Sequence, residues 1–312
     1  MKFFKCKFLV FCLILSNLLL IDIHDSYAFP IYAQQAYENP REATGRIVCA
    51  NCHLAQKPVS IEMPKAILPN TVFEAIVKVP YDNTSQQILG NGQKGKLNIG
   101  AVLVLPKGFK LAPNNMLTEE LRYKTKGIYI QSYSNKNDNI LVVGPISDNK
   151  NQEITFPILA PDPKNDKNIH FIKYPVFVGA NRGRGQIYPN GDKSNNNCIN
   201  SPINGKIINI QNQEKEGYQV IIENNKQEKV IIHVPQALKL KVNVNDQVIL
   251  DEALTYDPNV GGFGQNETEI VLQNPTRIKG MIGFLSLVTI AQIFFVLKKK
   301  QWEKVQAAEI NF

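Results

Sequence analysis

The stretch TVFEAIVKV at residues 71–79 sets the class of fold, because its side chains alternate between two faces. Phe73 and Val77 fall on the apolar face, and Glu74 and Lys78 fall on the opposite one. Alternation at every second residue indicates a β-strand with one buried face, and Val, Ile, Phe and Thr favour strands. We therefore predict a strand here whose apolar face packs into a core.

Runs of the same composition follow along the chain at close intervals. Each run is bounded by Pro, Gly, Asn or Asp, which are typical turn residues. Closely spaced strands without a helical period between them predict an all-β fold built around an antiparallel sandwich. The runs lie at residues 100–105, 127–133, 140–143, 154–159 and 171–178.

After an Asn-rich stretch at residues 194–200, the chain continues in short strand-like runs at close intervals. We predict a large β domain over residues 29–197, with a return strand within 260–278, and a small β domain over 198–259. The return strand makes the small domain an insertion into the large one. The short strand-like runs of the small domain lie at residues 205–210, 218–223, 229–234, 238–244 and 248–254.

Helix is scarce in this sequence. One candidate begins at Asn39, a good N-cap residue, with Pro40 in the first helical position. It runs toward Cys52, and Gly45 is its weak point.

An apolar run at residues 8–21 follows three lysines and precedes Ser26-Tyr27-Ala28. A basic start, an apolar middle and a small-residue end are typical of a secretory signal. Residues 1–28 are therefore predicted to be a signal peptide that is cleaved after Ala28. A retained N-terminal anchor is the alternative, although the apolar run is short for a bilayer span.

A second apolar run, at residues 280–297, contains no charge and is bounded by Lys279 and the triplet Lys298-Lys299-Lys300. Its length just reaches that of a membrane span, and the flanking lysines mark two interfaces. We predict a transmembrane helix over 279–298 and a short stromal or cytoplasmic tail over 299–312. A buried helix of a globular domain is the alternative.

The formal net charge of +8 is spread unevenly over the chain. The signal segment carries a net +1 and the segment from Lys279 onward a net +3, which leaves +4 on the exported body. A mild basic bias suits an acidic protein partner. It is too weak to indicate binding of nucleic acid.

The motif that carries chemistry is Cys49-Ala50-Asn51-Cys52-His53. Cys-x-x-Cys-His is the attachment signature of a c-type haem. Two thiols three residues apart on one face of a helical turn can add to the two vinyl groups of one haem, and His53 then lies under the iron as its proximal ligand. Because the chain has only five Cys and four His, a chance match is rare. We predict one covalently bound haem c.

Two other chemistries use paired cysteines. A zinc site needs further Cys or His ligands at motif spacing, which this sequence lacks. A thioredoxin-like redox pair belongs in a βαβ context, which is also absent. The remaining cysteine of the exported body, Cys198, is interpreted as a small buried residue rather than a reactive thiol.

The second axial position decides whether the iron is open to ligands or closed for electron transfer. Cleavage after Ala28 creates an α-amine on Phe29, and its unperturbed pKa of about 8 makes the deprotonated, ligating form accessible. The side-chain candidates in the exported body are Met63, Met116, His170 and His233.

Four stretches carry a family resemblance: FPIYAQQ at 29–35, NPREATGRIVCANCH at 39–53, NRGRGQIYP at 181–189 and PNVGGFGQ at 258–265. They resemble the cytochrome f family, and the resemblance extends over the whole chain. It implies a large sandwich related to the immunoglobulin and fibronectin type, with a small β domain beside it.

The family supplies the haem subunit of the plastoquinol–plastocyanin reductase, the cytochrome bf complex of oxygenic photosynthesis. The resemblance implies a single-pass protein of the thylakoid membrane, plastid or cyanobacterial, with its large domain in the lumen. It would pass single electrons from a Rieske iron–sulfur protein to plastocyanin or a soluble c-type cytochrome, beside the cytochrome b subunit. This subunit would not itself be an enzyme. The alternative is an exported haem sensor or peroxidase-like enzyme with an open iron site, which a recognisable distal acid–base set would favour.

The resemblance also implies site residues. The axial ligands are His53 and the α-amine of Phe29, with Pro30, Tyr32 and Tyr188 on the aromatic flank of the haem. A buried water chain is lined by polar residues, each of which can also be interpreted as an ordinary turn or surface residue. These residues are Gln87, Asn181, Arg184, Gln186, Asn196 and Asn259.

Two features depart from the family pattern. The mature chain begins with Phe rather than Tyr, which keeps the backbone nitrogen and removes a phenol hydrogen bond. The lysine patch that docks the electron acceptor is also thinned, so electrostatic steering is expected to be weaker. The candidate docking residues, for which ordinary solvated lysines are the alternative, are Lys94, Lys96, Lys193 and Lys215.

Overall fold

The structure, a computed structural model, describes residues 30–147, 152–213 and 217–310. The predicted signal peptide at 1–28, the N-terminal residue Phe29 and the docking candidate Lys215 lie outside the described residues. The described chain forms two compact units. The larger comprises Pro30–Gln86, Lys96–Asp192 and the described part of Asn259–Phe312, and the smaller comprises Gln87–Gly95 and the described part of Lys193–Pro258.

The larger unit is a sandwich of two β-sheets, which confirms the predicted fold class. Neighbouring strands are antiparallel except for one parallel pair among the described residues, Ala66–Ile67 with Gly262–Leu272. One sheet has the spatial order β1 (Ser60–Glu62), β3 (Val72–Lys78), β10 (Glu153–Leu159), β7 (Lys110–Leu111). The other has the order β2 (Ala66–Ile67), β16 (Gly262–Leu272), β11 (Lys173–Arg182), β6 (Ile99–Val104), β9 (Asn137–Ile146), β8 (Ile130–Ser134).

The core of the sandwich lies between these two sheets. The alternation predicted for residues 71–79 is confirmed, since every second side chain of β3 is buried. Val77 of β3 and Phe156 of β10 pack in one cluster with Leu103 of β6 and Val178 of β11. Each such side chain contributes roughly 1.5–3 kcal/mol through burial, so this face fixes how the two sheets are paired.

The strand β16 brings the chain back into the larger unit after the smaller one. It pairs with β11 in a register that runs from Gly262 opposite Arg182 to Val271 opposite Lys173. The haem-motif segment also reaches this strand, because Lys57 N donates to Phe263 O at 2.9 Å and Phe263 N donates to Ala55 O at 2.8 Å.

The smaller unit is a four-stranded antiparallel sheet with its own core. Ile207, Val220, Ile222 and Leu254 are fully buried in it, and Ile88 of the segment 87–95 packs against them. The burial of Ile88 explains why that distant segment joins this unit. The sheet order is β14 (Lys229–Val234), β13 (Gly217–Glu223), β12 (Gly205–Gln213), β15 (Gln247–Val248), and a separate pair consists of β4 (Gln86–Ile88) and β5 (Lys94–Lys96).

Two predicted strands of the small domain are wrong. Residues 238–244 are irregular apart from a bridge from Leu240 to Thr255, although Leu238 and Val242 are buried. Only Val248 of the predicted run 248–254 lies in a strand, and the chain then turns through Asp251 at φ 65°. Apolar alternation here reports burial in the core without pairing in a sheet.

The predicted helix from Asn39 to Cys52 is also wrong. Residues 41–47 fold back on themselves, with Arg41 bridging Ile47 and Gly45 at φ 87° in the left-handed region. A 3₁₀ helix at Val48–Asn51 is the only helical turn in this stretch. The other short helices are α1 (Ile31–Ala36), a 3₁₀ turn at Asn114–Met116 and α2 (Glu119–Lys124), whose N-cap Thr118 accepts from Leu121 N.

The chain ends in α3 (Pro275–Ile310), a helix of 36 residues. It is long and apolar enough to cross a membrane, and none of its described residues is buried. A core helix of a globular domain would bury one face, so the alternative of a buried helix does not hold. The prediction of one C-terminal membrane helix is confirmed.

Candidate haem site

The two cysteines of the motif lie on one side of a tight turn. Cys49 lies within the 3₁₀ helix and Cys52 caps it, with Cys52 N donating to Cys49 O at 3.2 Å and His53 N donating to the same oxygen at 3.0 Å. Side chains three residues apart eclipse each other in a 3₁₀ helix. This geometry presents both sulfur atoms in one direction, as attachment to a single haem requires.

The turn rests on the outer face of the six-stranded sheet. Cys49 and Ala50 pack against a small apolar cluster that includes Ile47, Val102 and Phe263. This cluster is separate from the core between the sheets. It supplies an apolar bed for a large planar ring.

Both thiols are protonated in this environment. Burial raises the pKa of Cys49 to about 12, against a smaller lowering by a backbone hydrogen bond, and burial also raises the pKa of Cys52. The two residues are not joined in a disulfide. Reactive redox cysteines have lowered pKa values, so the raised pKa values found here do not favour a thioredoxin-like pair.

The imidazole of His53 is prepared to act as a metal ligand. Burial lowers its pKa to about 4, so it is neutral at pH 7, which is the form that binds metals. The side-chain amide nitrogen of Asn181 lies 3.3 Å from Nε2 of this imidazole. Nδ1 is buried without a hydrogen-bond partner among the described residues. A neutral histidine beside two aligned thiols fits a covalently attached haem.

No cluster of three or more His, Cys, Asp or Glu that could hold a bare metal ion occurs in the described ranges. A zinc site built from Cys49 and Cys52 would need two further protein ligands of this kind.

The segment after β11 holds the motif from one side. Gln186 N donates to Cys52 O at 2.8 Å, and its Oε1 accepts from Leu54 N at 3.0 Å. Gly185 allows this approach, since a Cβ there would lie 3.1 Å from Cys52 O. Two predicted water-chain residues, Asn181 and Gln186, are therefore brought to the motif by direct contacts.

Residues at the start of β16 contact the turn that precedes Cys49 and the segment that follows His53. Gln265 accepts from Ile47 N at 3.0 Å and donates to Gly45 O at 3.2 Å, which fixes the turn before Cys49. Gly264 lies against the segment that follows His53, because a Cβ there would be 2.1 Å from Lys57 O. Residues 262–265 belong to a stretch that carries the family resemblance, but no contact with the haem motif was predicted for them, although their closely spaced glycines indicate close backbone approach.

We expect Gly264→Ala to destabilise the larger unit by about 3 kcal/mol, because a methyl group cannot fit 2.1 Å from a backbone oxygen. Urea unfolding of the detergent-solubilised chain, followed by circular dichroism, measures this loss. The matched control is Gly280→Ala, where a Cβ meets nothing within 4 Å. A loss below about 0.5 kcal/mol for Gly264→Ala would contradict the close contact.

The helix α1 lies beside the motif and begins two residues after Phe29. Ala33 of α1 packs against the same apolar cluster as Cys49. Tyr32 and Tyr188 meet edge to face, with ring centroids 6.4 Å apart. The predicted aromatic flank thus includes a direct contact between these two rings.

The side-chain candidates for the second axial position lie elsewhere. Met63 packs against the core between the sheets rather than the outer cluster that holds Cys49. The side chain of Met116 is 42% exposed, at the end of a separate 3₁₀ turn. His170 is exposed next to Tyr174, whose hydroxyl bonds its backbone, and His233 is exposed on β14 of the smaller unit.

The other predicted water-chain residues occupy several places. Gln87 and Asn196 are buried in the smaller unit. In the larger unit, Arg184 lies 3.4 Å from the hydroxyl of Tyr188, and Asn259 accepts from Gly261 N at 3.0 Å. The shared water path remains a prediction.

The docking lysines that the structure describes are exposed. Lys94 and Lys96 lie on β5, and Lys193 lies at the start of the segment 193–258 of the smaller unit. The single cysteine Cys198 is half-buried, and its thiol lies 3.3 Å from Asn200 Oδ1.

Comparison with known proteins identifies the family. Residues 29–183 match the family described as Apocytochrome F, N-terminal, and residues 195–312 match Apocytochrome F, C-terminal. Cytochrome f of Gracilaria tenuistipitata var. liui is 66% identical over 95% of this chain and 96% of its own length. Cytochrome f of Porphyra purpurea is 65% identical over 95% and 92%, and that of Emiliania huxleyi is 56% identical over 100% and 99%. The chain therefore belongs to the cytochrome f family.

Proposed function

We propose that this chain is a membrane-anchored haem c electron carrier of a cytochrome bf complex. Cys49 and Cys52 would hold one haem through thioethers, and His53 and the α-amine of Phe29 would ligate its iron. When bound, the haem supplies a one-electron couple whose potential the protein tunes through ligands, burial and charge. The protein's part is to hold, close and tune the site, and no substrate bond is made or broken.

The proposal rests mainly on the protonation and the arrangement of the side chains in the motif. A neutral His53 lies beside two uncharged, aligned thiols on an apolar bed, in a chain of the cytochrome f family. Neutral histidine and thioether ligation is what a c-type centre uses, and catalytic thiolate chemistry is disfavoured by the raised pKa of Cys49.

The compartment follows from the two ends of the chain. Cleavage after Ala28 would release the N-terminus on the lumenal side of the thylakoid membrane. The helix α3 would then hold the larger unit at the surface, with Lys298 to Lys300 left on the stromal side. The organelle or cell would be a plastid or a cyanobacterium.

The proposed partners are a Rieske iron–sulfur protein as donor, the cytochrome b subunit in the membrane, and plastocyanin or a soluble c-type cytochrome as acceptor. The exposed Lys94, Lys96 and Lys193 support docking of an acidic acceptor, and Lys215 completes the proposed patch. A net charge of +4 on the exported body gives modest steering. Asn181, Gln186 and the other polar residues named above form the proposed water chain.

Stopped-flow mixing tests the electron-transfer proposal. The reduced protein should be oxidised rapidly by plastocyanin or a soluble c-type cytochrome, with a rate that falls modestly as ionic strength rises. The same reduced sample should not bind carbon monoxide rapidly at neutral pH. Rapid binding, without electron transfer to either acceptor, would establish an open-iron sensor or peroxidase-like protein instead.

A buried cation beside the site leads to a prediction about the reduction potential. Arg182 follows Asn181 and is 1% exposed; it donates one hydrogen bond to Pro58 O, and its Nε and Nη1 have no partner among the described residues. Burial lowers its pKa to about 10, so it remains charged at pH 7. A fixed positive charge disfavours the oxidised, more positive iron.

We expect Arg182→Met to lower the midpoint potential. At an effective dielectric constant of about 20, removal of a nearby unit charge shifts a one-electron couple by a few tens of millivolts. Spectroelectrochemical titration measures the shift, and Arg182→Lys, which keeps the charge, is the control. Equal potentials for the Met and Lys variants would contradict the electrostatic effect.

A further inference from the structure

The end of β16 that leads into the membrane helix is flanked by two other segments. β11 is antiparallel to β16, and Lys173 at its start lies opposite Val271. β2 is parallel to β16 and ends at Ile67, opposite Leu272. The residues just before β11 and just after β2 therefore lie beyond the same end of the sheet, where the chain leaves for α3.

Hydrogen bonds tie both flanking segments to the last residues before the helix. Leu272 N donates to Ile172 O at 3.1 Å, and Gln273 N donates to Ile67 O at 2.8 Å. The helix α3 begins at Pro275, two residues after Gln273. Both segments are therefore held next to the start of the membrane helix.

These two segments present apolar side chains to the outside. Leu68 is 40% exposed, Phe171 37% and Ile172 50%. Their neighbours Ile67 and Ile169 are buried in the core between the sheets, so the exposed side chains lie at the tips of the turns. Three exposed apolar side chains at one end of a sheet indicate an interaction surface.

The length of chain before the membrane places this end of the sheet near the lipid headgroups. Lys279 is the last charged residue before the uncharged run 280–297. The four residues from Pro275 to Lys279 add at most about 6 Å of helix rise above the hydrocarbon. The headgroup layer on each side of a bilayer is roughly 5–8 Å thick. Side chains at the level of Gln273 can therefore reach that layer without a change in the fold.

The backbone of both turns is partly bonded within the protein, which suits a layer with less water. Thr71 Oγ1 donates to Leu68 O at 2.6 Å, and Ile172 N donates to His170 O at 3.0 Å. The hydroxyl of Tyr174 lies 2.9 Å from both N and O of His170. Polar groups that are bonded to one another lose less free energy when water is removed.

We propose that Leu68, Phe171 and Ile172 form a lipid-contact surface, which enters the interface of the bilayer that α3 crosses. Lipid is the occupant because the surface is continuous with the membrane helix and its three side chains are apolar. Leu and Phe are side chains that proteins bury at the boundary between headgroups and acyl chains. This inference goes beyond the proposed function and does not depend on the haem or on the electron-transfer partners.

The test is the depth of a spin label at position 172 in the full-length holoprotein, reconstituted alone into phosphatidylcholine vesicles. Ile172→Cys is labelled with a nitroxide in a Cys198→Ser background, because Cys49 and Cys52 are taken up by the haem. Oxygen concentrates in lipid and a water-soluble nickel chelate stays outside, so the ratio of their collision rates, measured by EPR power saturation, reports depth. We expect a ratio about tenfold higher than that of a water-exposed label, because the polar chelate is excluded from the apolar layer.

The matched control is the same label on Tyr129→Cys, at a side chain of the same unit that is 77% exposed. The register of the sheet places the neighbouring Ile130 level with Gly264, near the start of β16. The eight residues from Gly264 to Leu272 span roughly 26 Å of strand. The control label is therefore far from the membrane end of the sheet and should stay in water.

Leu68→Cys, labelled in the same way, tests the second segment and covers the case in which Ile172→Cys fails to fold. Raised ratios in the folded variants support lipid contact, and a control-like ratio in either one would overturn the inference. Because the vesicles contain no other subunit, control-like ratios in both would assign the three side chains to a protein partner instead of lipid.

Discussion

Replacing Cys49 and Cys52 together by serine is expected to abolish covalent haem attachment. Serine keeps the size of each side chain but cannot form a thioether, and both positions face one direction in the 3₁₀ turn. Without the two thioethers, only coordination by His53 and the proposed α-amine of Phe29 would hold the haem, and coordination is lost when the protein is denatured. Electrophoresis under denaturing conditions, followed by a haem-dependent peroxidase stain, should show no signal for the double variant.

Single variants refine this prediction. Cys49→Ser and Cys52→Ser should each leave one thioether, with a pyridine haemochrome spectrum shifted toward that of a haem with one free vinyl group. Cys198→Ser is the matched control, because that half-buried cysteine lies in the smaller unit and its thiol contacts Asn200. Covalent haem in the double variant, or its loss in the control, would show that the attachment site is misassigned.

The large sandwich could be predicted because its strands bury one face each. Alternation in residues 71–79 reappears as the alternating burial of β3, and each predicted run within the larger unit overlaps a strand. The strands of the smaller unit were harder to predict, since Leu238 and Val242 reach its core from irregular backbone. Apolar periodicity reports burial, and burial is not always accompanied by pairing in a sheet.

The features of the candidate site likewise fall into those that the sequence predicts and those that it does not. The roles of Cys49, Cys52 and His53 could be predicted from the sequence, because their spacing alone places two thiols and an imidazole together. The contacts that close the site join residues far apart in sequence, such as Gln265 with Ile47 and Tyr133 with Ala33. No local pattern marks such pairs. Helix prediction failed at residues 39–52 for a related reason, since Gln265 and the positive φ of Gly45 fix a turn there.

Extension of the mature chain by one glycine before Phe29 should remove nitrogen ligation by the N-terminus. The extension converts the nitrogen of Phe29 into an amide, which is not basic, and moves the new amine one residue away, about 3.8 Å. Since Met63 lies against a different core and His170 is exposed beside Tyr174, no described side chain among the predicted alternatives lies in the outer cluster to replace it. We expect a high-spin or ligand-exchanged visible spectrum and rapid carbon monoxide binding.

The matched control is Phe29→Leu, which changes the side chain and keeps the backbone amine. Its spectrum should stay close to that of the wild type, whereas N-terminal acetylation of the wild-type protein should reproduce the effect of the extension. Because a protonated amine cannot bind iron, acidification should also release the ligand in the wild type and in Phe29→Leu, but change nothing comparable in the extended protein. Mass spectrometry of each mature N-terminus confirms where cleavage occurred. Unaltered spectra in both the extended and the acetylated protein would assign the second axial bond to a side chain, and the site would then have to be rebuilt without the N-terminus.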